Sequence, residues 1–118
     1  MILDERAAAR SVCQLVTTGR RSGEPRAIEI WFAAQGGDRV YMLAGGGEAA
    51  HWVQNLRADP EVRLGIDGRT FRGRAHVVQG EAADPVARAA VAAKYGTAGL
   101  EDWLRDSLPV EIELEGGG

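Results

Sequence analysis

The sequence predicts a mainly β protein of the α+β kind: six antiparallel strands closed into a small barrel, with two or three short helices. Three features carry that expectation. Short runs alternate apolar and polar residues between glycine-rich turns, the period of two that marks half-buried strands. The Asp67-Gly68 pair separates two such runs, and a two-residue hairpin needs at both central positions the positive φ that these residue types tolerate. Finally, an open sheet would leave aggregation-prone edges that closure removes, and no parallel βαβ pattern competes.

The elements follow in order. Val12, Gln14, Val16 and Thr18 alternate with Cys13, Leu15 and Thr17 in a strand that stops at Gly19. The run from Gly19 to Pro25 is turn chemistry throughout, because glycine permits positive φ and proline fixes its own φ and lacks a donor. Ile28, Ile30 and Phe32 then alternate with Ala27, Glu29, Trp31 and Ala33 in a second strand, antiparallel to the first. Gly36-Gly37-Asp38 turns the chain into a third strand through Val40, Met42 and Ala44, making a three-stranded meander that ends at Gly45-Gly46-Gly47. The period changes at Ala49, Trp52, Val53 and Leu56, whose spacing lines one helix face, and Asp59-Pro60 ends that helix.

Val62, Leu64 and Ile66 form the strand before Asp67-Gly68, and Phe71, Gly73, Ala75 and Val77 share one face of its partner. Asp84-Pro85 reads as a cap and first helical residue of an alanine-rich helix to Tyr95, closed by Gly96. A short helix around Leu100 to Arg105 follows. Val110, Ile112 and Leu114 alternate with glutamates in a last strand wet on one side.

The length of 118 residues fits one domain spanning the chain, with residues 116–118 as a flexible end. A core this small gains from a partner subunit, so a homodimer is expected. The net charge of -3 argues against a general nucleic-acid binder. One cysteine, Cys13, allows no internal disulfide and no thiolate metal cluster, and His51 and His76 stand apart from other ligand types, so no metal site is expected. A cytoplasmic setting follows. The N-terminal residues lack the basic-then-apolar pattern of a signal peptide, and no run is long enough for membrane insertion. Ser22 and Ser107 show no nucleophile elbow or triad order.

The basic cluster Arg20, Arg21 and Arg26 is the informative one. Two arginines in a turn can fork onto phosphate oxygens, and Gly19 and Gly23 let backbone N–H groups converge on an anion. Gly45-Gly46-Gly47, leading into a helix near Glu48, offers amides unobstructed by side chains. Trp31 lies opposite Ile28 and Ile30 on its strand, placed to stack on a tricyclic ring or to pack at a subunit interface, and Tyr95 has a hydroxyl to offer a substrate.

The segments Leu15 to Pro25 (LVTTGRRSGEP), Glu29 to Phe32 (EIWF), Gly45 to Gly47 ahead of Trp52-Val53, Asn55 to Pro60 (NLRADP), Ala92 to Tyr95 (AAKY) and Leu108 to Val110 (LPV) run in order along nearly the whole chain. In these the sequence resembles the deazaflavin-dependent nitroreductase family of split β-barrel oxidoreductases, relatives of the flavin-binding pyridoxamine-phosphate-oxidase-like barrels. The resemblance implies a split β-barrel and coenzyme F-420, with the phosphate of the cofactor tail in the arginine turn and the deazaflavin ring over the barrel near the glycine loop. The implied cofactor contacts are Thr18, Gly19, Arg20, Arg21, Ser22, Gly23, Pro25, Trp31, Gly45, Gly46, Gly47 and Trp52, the last also fitting the buried helix face. The implied activity is hydride transfer between cofactor and a small, largely apolar acceptor, in which the cofactor does the difficult chemistry and no catalytic side chain is named. Two other readings stay open: an FMN-binding barrel of the same kind, and a cofactor carrier without turnover.

Overall fold

A computed structural model describes residues 2–115; the expected flexible end at residues 116–118 lies outside them. Seven strands form one antiparallel sheet: β1 (Cys13–Thr18), β2 (Pro25–Ile30), β3 (Ala33–Gln35), β4 (Arg39–Ala44), β5 (Glu61–Ile66), β6 (Arg69–Val77) and β7 (Leu108–Leu114), in the spatial order β2-β1-β5-β6-β7-β4-β3. Four helices accompany them among the described residues: α1 (Glu5–Ala8), α2 (His51–Ala58), α3 (Ala83–Tyr95) and α4 (Glu101–Asp106).

The seventh strand comes from dividing the expected second one. Cys13 to Thr18 pair with Pro25 to Ile30, whereas Ala33 to Gln35 pair with Arg39 to Tyr41. One continuous apolar-polar run therefore changes partner at Trp31-Phe32. Because β2 and β3 are the two edges of the sheet and only those residues separate them, the edges lie within about 11 Å. The sheet must curl until they meet, so the meander survives as a barrel corner. Phe32 is fully buried there, and Trp31 points outward.

Inside the curl lie Leu15, Phe32, Val40, Met42, Val62, Leu64, Ile66, Ala75, Val110 and Ile112, the inward-facing positions of the alternating strands. Asp67 and Gly68 take φ of 53° and 75°, as their hairpin requires. Gly73 is packed so closely on β7 that a Cβ would lie 2.8 Å from the Ile112 side chain and 2.9 Å from the Glu113 carbonyl oxygen. On β7, Glu113 is exposed as expected, but Glu111 is buried, its carboxylate 3.4 Å from Nε2 of His76. That face is not wet along its length, because α3 packs over β3, β4 and β7 and covers a second apolar cluster of Ala33, Leu43 and Val91.

Two boundaries shift. The alanine-rich helix begins at Ala83 with Ala82 as its N-cap, two residues ahead of the expected cap: Asp84 lies inside its first turn, where it accepts from the Gly80 N–H at 2.8 Å and binds Arg88 at 2.6 Å. Helix α1 was not anticipated; Asp4 caps it by accepting from the Ala7 N–H at 2.8 Å, and Ala7 is buried.

The AAKY segment fastens the corner. The Lys94 ammonium donates to the carbonyls of Ala8, Arg10 and Phe32 at 3.0, 2.6 and 2.8 Å and sits 3.7 Å from the centre of the Phe32 ring. Burial holds its pKa below the ordinary lysine value. The Tyr95 hydroxyl accepts from the Phe32 N–H at 3.0 Å and lies 2.7 Å from the Ser11 carbonyl oxygen. Those bonds commit the hydroxyl to the backbone, so the expectation that it serves a substrate is corrected.

Replacing Lys94 by Met should leave the carbonyls of Ala8 and Phe32, both partly buried, and the exposed carbonyl of Arg10 without this donor and lower stability by about 1 to 3 kcal/mol, seen as a lower denaturant midpoint with unchanged slope. Cys13 provides a pH test. Burial raises its thiol from 9.0 to about 12, so between those values the folded chain keeps a proton that the unfolded chain loses. Stability should fall as pH rises through that window, by about 1.4 kcal/mol per unit from this group. Unfolding curves of Cys13→Ala against the parent protein should show this part of the decline removed.

Candidate cofactor-binding site

Between the β1–β2 turn and α2 lies a cleft of ≈ 470 Å³ lined by Thr17, Gly19, Arg20, Arg21, Ser22, Arg26, Ala27, Ile28, His51, Trp52 and Asn55. Three arginines face it and no carboxylate does, while Ala27, Ile28 and Trp52 supply apolar wall. Such a lining suits a ligand with an anionic end and a flat apolar body.

The turn is built tightly. Gly19 N–H donates to the Glu24 carbonyl and Gly23 N–H to the Gly19 carbonyl, both at 2.8 Å, and Gly23 has φ of 73°. A Cβ on Gly19 would lie 2.7 Å from Ser22 Oγ and 3.1 Å from the Glu24 carbonyl oxygen. Ser22 Oγ accepts from the Glu24 N–H at 3.2 Å and from Arg26 Nη2 at 3.3 Å. The Arg20 N–H goes to Asn55 Oδ1 at 3.2 Å. The Gly19 and Gly23 N–H groups serve the turn itself and the Arg20 N–H serves α2, so these three are not directed at an anion, while the guanidinium groups of Arg20, Arg21 and Arg26 face the cleft.

Arg20 is held, and Arg21 is exposed. Arg20 Nη1 donates to Asn55 Oδ1 at 2.8 Å and its Nη2 lies 3.3 Å from His51 Nδ1, while Asn55 Nδ2 donates to Thr17 Oγ1 at 3.2 Å. His51 and Asn55 are one helical turn apart, so α2 presents both to the β1–β2 turn.

The residues proposed from sequence do not all meet. Gly19, Arg20, Arg21, Ser22 and Trp52 line this cleft. Thr18, Gly23 and Pro25 line a second depression of ≈ 680 Å³ on the other side of the same hairpin, with Arg63, Thr70 and Arg72. Trp31 stands beyond the cleft, stacked on Tyr95 at 4.2 Å between ring centres, with Trp103 edge-on at 5.7 Å. Gly45 approaches that same Trp103, where a Cβ would lie 3.2 Å from Nε1. Gly45-Gly46-Gly47 does not open α2 directly, because a 3-10 turn at Gly47–Ala49 intervenes and Ala50 is the N-cap of α2. Arg26, noted in the basic cluster, joins the lining, whereas Thr17, Ala27, Ile28, His51 and Asn55 were missed as site residues. An asparagine one turn from a histidine beside an apolar stripe was the available signal for α2; Thr17 shares the inward parity of Cys13 and Leu15, and a polar residue there was the other.

The family model of the F420H(2)-dependent quinone reductases matches residues 5–115. The chain belongs to that family. The family is described by its dependence on F420H(2), so coenzyme F420, rather than FMN, is the cofactor against which the cleft is compared. An F420H(2)-dependent quinone reductase of Mycobacterium tuberculosis is 30% identical over 67 residues, covering 55% of this chain and 45% of the relative. The match thus spans about half the length of such curated relatives. Among solved structures, an F420-H2 dependent reductase (FDR-A) is similar with a TM-score of 0.70 and 23% identity, covering 90% of this chain and 95% of that one. A conserved hypothetical protein of M. tuberculosis gives 0.75 and 21%, covering 95% and 78%. The haem storage protein HutZ of Vibrio cholerae gives 0.73 and 19%, covering 92% and 84%. These likenesses establish the split-barrel fold. The lining of the cleft fits the family's cofactor: unneutralised arginines at one end, apolar wall beside them.

Substituting Gly19 by Ala should spread the turn against the Glu24 carbonyl and move the arginines it carries, costing about 1 kcal/mol of anion affinity, roughly fivefold. Titration of F420 fluorescence against both proteins checks this, with circular dichroism showing the fold retained.

Proposed function

We propose that this protein binds coenzyme F420 in the cleft between the β1–β2 turn and α2, and that it transfers a hydride between the cofactor and a small, largely apolar acceptor of the quinone class. The observation that carries this reading is the cleft lining, with Arg20, Arg21 and Arg26 facing it, no acid among the lining residues, and Ile28 and Trp52 alongside. When bound, the cofactor supplies the hydride chemistry. The residues of the chain bind and orient it: Arg20, Arg21 and Arg26 grip the anionic tail, and Ala27, Ile28 and Trp52 exclude water from one wall. Ser22 keeps Arg26 near the turn through their 3.3 Å bond.

Trp31 belongs to the same reading. It is 41% exposed yet stacked on Tyr95, so its free face is a rigid apolar platform at the end of β2, available to the cofactor ring, to the acceptor or to a second copy of the chain. Thr18, Gly23 and Pro25 act by shaping the hairpin from its other side, Gly45 by letting Trp103 approach, and Gly46 and Gly47 by carrying the chain into the 3-10 turn, Gly47 at a φ of 59°. We place the protein in the cytoplasm as a homodimer. No helix of the described residues is long and apolar enough to cross a membrane.

F420 should bind clearly more tightly than FMN, because three clustered arginines suit an extended anionic tail better than a single phosphate requires. Arg21→Ala should weaken F420 binding about ten- to hundredfold, the worth of one charge-assisted bond, while leaving the melt within about half a kcal/mol of the parent. Fluorescence titration with both cofactors measures the preference, and oxidation of reduced F420 by a soluble quinone measures turnover. FMN binding as strong as F420 binding would refute the preference; tight F420 binding with no acceptor reduced would leave a carrier.

A further inference from the structure

Most arginines of this chain that are held in one geometry are held by a carboxylate. Arg57 meets Glu48 at 2.8 Å, Arg69 meets Asp4 at 3.1 Å, Arg88 meets Asp84 at 2.6 Å and Arg105 meets Asp106 at 2.9 Å. The two arginines of the cleft that are held differ: Arg26 meets only the Ser22 hydroxyl at 3.3 Å, and Arg20 is held by an amide oxygen and an imidazole nitrogen, both without charge when they accept. Asn55 is 4% exposed, and its side chain is satisfied at both ends, Oδ1 by two donors of Arg20 and Nδ2 by giving its hydrogen to Thr17.

We propose that Asn55 is a positioning residue for the anion site, one whose neutrality matters: it aims Arg20 into the cleft while leaving the guanidinium charge uncancelled. This rests on reading the cleft as the seat of the cofactor's anionic tail. A carboxylate in the same place would hold Arg20 at least as firmly, with the same atoms, but would neutralise the charge that the ligand needs. No side chain at all would leave Arg20 as free as Arg21, and its rotamer freedom would then be lost on binding rather than beforehand. The amide avoids both. Arg20 and Arg21 thereby divide the work, one preset and the other adaptable. Arg20, which can only donate, fixes Oδ1 as the end of the amide that faces it, and Thr17 completes the arrangement with a hydroxyl that accepts from Nδ2.

The test is a double-mutant cycle between Arg20 and Asn55, read as dissociation constants for F420 and for inorganic pyrophosphate, each over a range of salt. Asn55→Ala should weaken both ligands roughly three- to tenfold and Arg20→Ala about ten- to hundredfold, with the double variant no weaker than Arg20→Ala alone. Asn55→Asp, nearly isosteric and therefore foldable where the alanine variant is not, should melt at or above the parent temperature. It should nonetheless bind both ligands more weakly and with a flatter salt dependence. A residue that served only the fold would not produce weaker binding in a variant of undiminished stability. Losses that multiply in the double variant, or an Asn55→Asp protein with parental affinity and salt slope, would overturn the proposal. Pyrophosphate binding without F420 binding would remove the cofactor reading alone, since the cycle then runs on pyrophosphate; binding of neither would remove both.

Discussion

Ile30 and Ala33 belong to strands at opposite edges of one sheet, and only Trp31 and Phe32 lie between them. That covalent constraint curls the sheet into a half-barrel, its two edges brought near one another without a ladder between them. Everything else is arranged around the corner it creates: Phe32 turns in to fill the core, and Trp31 turns out to stack on Tyr95. Lys94 and Tyr95 then bind the backbone that the change of partners leaves without sheet neighbours. The three ammonium bonds to Ala8, Arg10 and Phe32 also draw the segment after α1 against the same point, so the N-terminal residues join the fold through a lysine of α3. Unpaired backbone carbonyls at a bend are costly when buried, and a lysine with three donors answers three of them at once.

The β1–β2 turn projects from this closed body, and α2 lies beside it. The turn uses the Gly19 and Gly23 amides itself, arginine side chains face the cleft, and the charge of Arg20 and Arg26 is preserved because their restraints are neutral. A negatively charged protein with net charge -3 thus maintains a local cationic cleft. Several acids of the chain pair with arginines elsewhere, as in Glu48–Arg57 and Asp84–Arg88, and none lines the cleft.

Proteins that resemble this one in backbone include both an F420-H2 dependent reductase and a haem storage protein, at nearly the same TM-scores of 0.70 and 0.73. The barrel alone does not choose the ligand. What distinguishes the site here is the combination of Arg20, Arg21 and Arg26 with Ile28 and Trp52, together with the family that the matched residues establish.

The alternation of Val62, Leu64 and Ile66, the Asp67-Gly68 hairpin and the helical spacing of Trp52, Val53 and Leu56 were legible in the sequence because each is a local pattern set by backbone geometry. The arginine turn was legible for the same reason, its glycines and charges being adjacent in the chain. The division of the second strand was not, since an unbroken alternation looks the same whether a strand keeps one partner or exchanges it at Trp31. Nor were the partners of Arg20: Asn55 is 35 residues away and reaches it only when α2 packs on β1. Likewise, that Thr17 rather than Thr18 faces the cleft depends on which side of the hairpin α2 occupies. The sequence by itself determined most of the strands, the three longer helices and the basic character of the turn. Closure at the corner, the neutral restraint of Arg20 and the separation of Trp31 from the arginines were decided only by tertiary structure, because each depends on contacts between segments whose spacing along the chain carries no local signal.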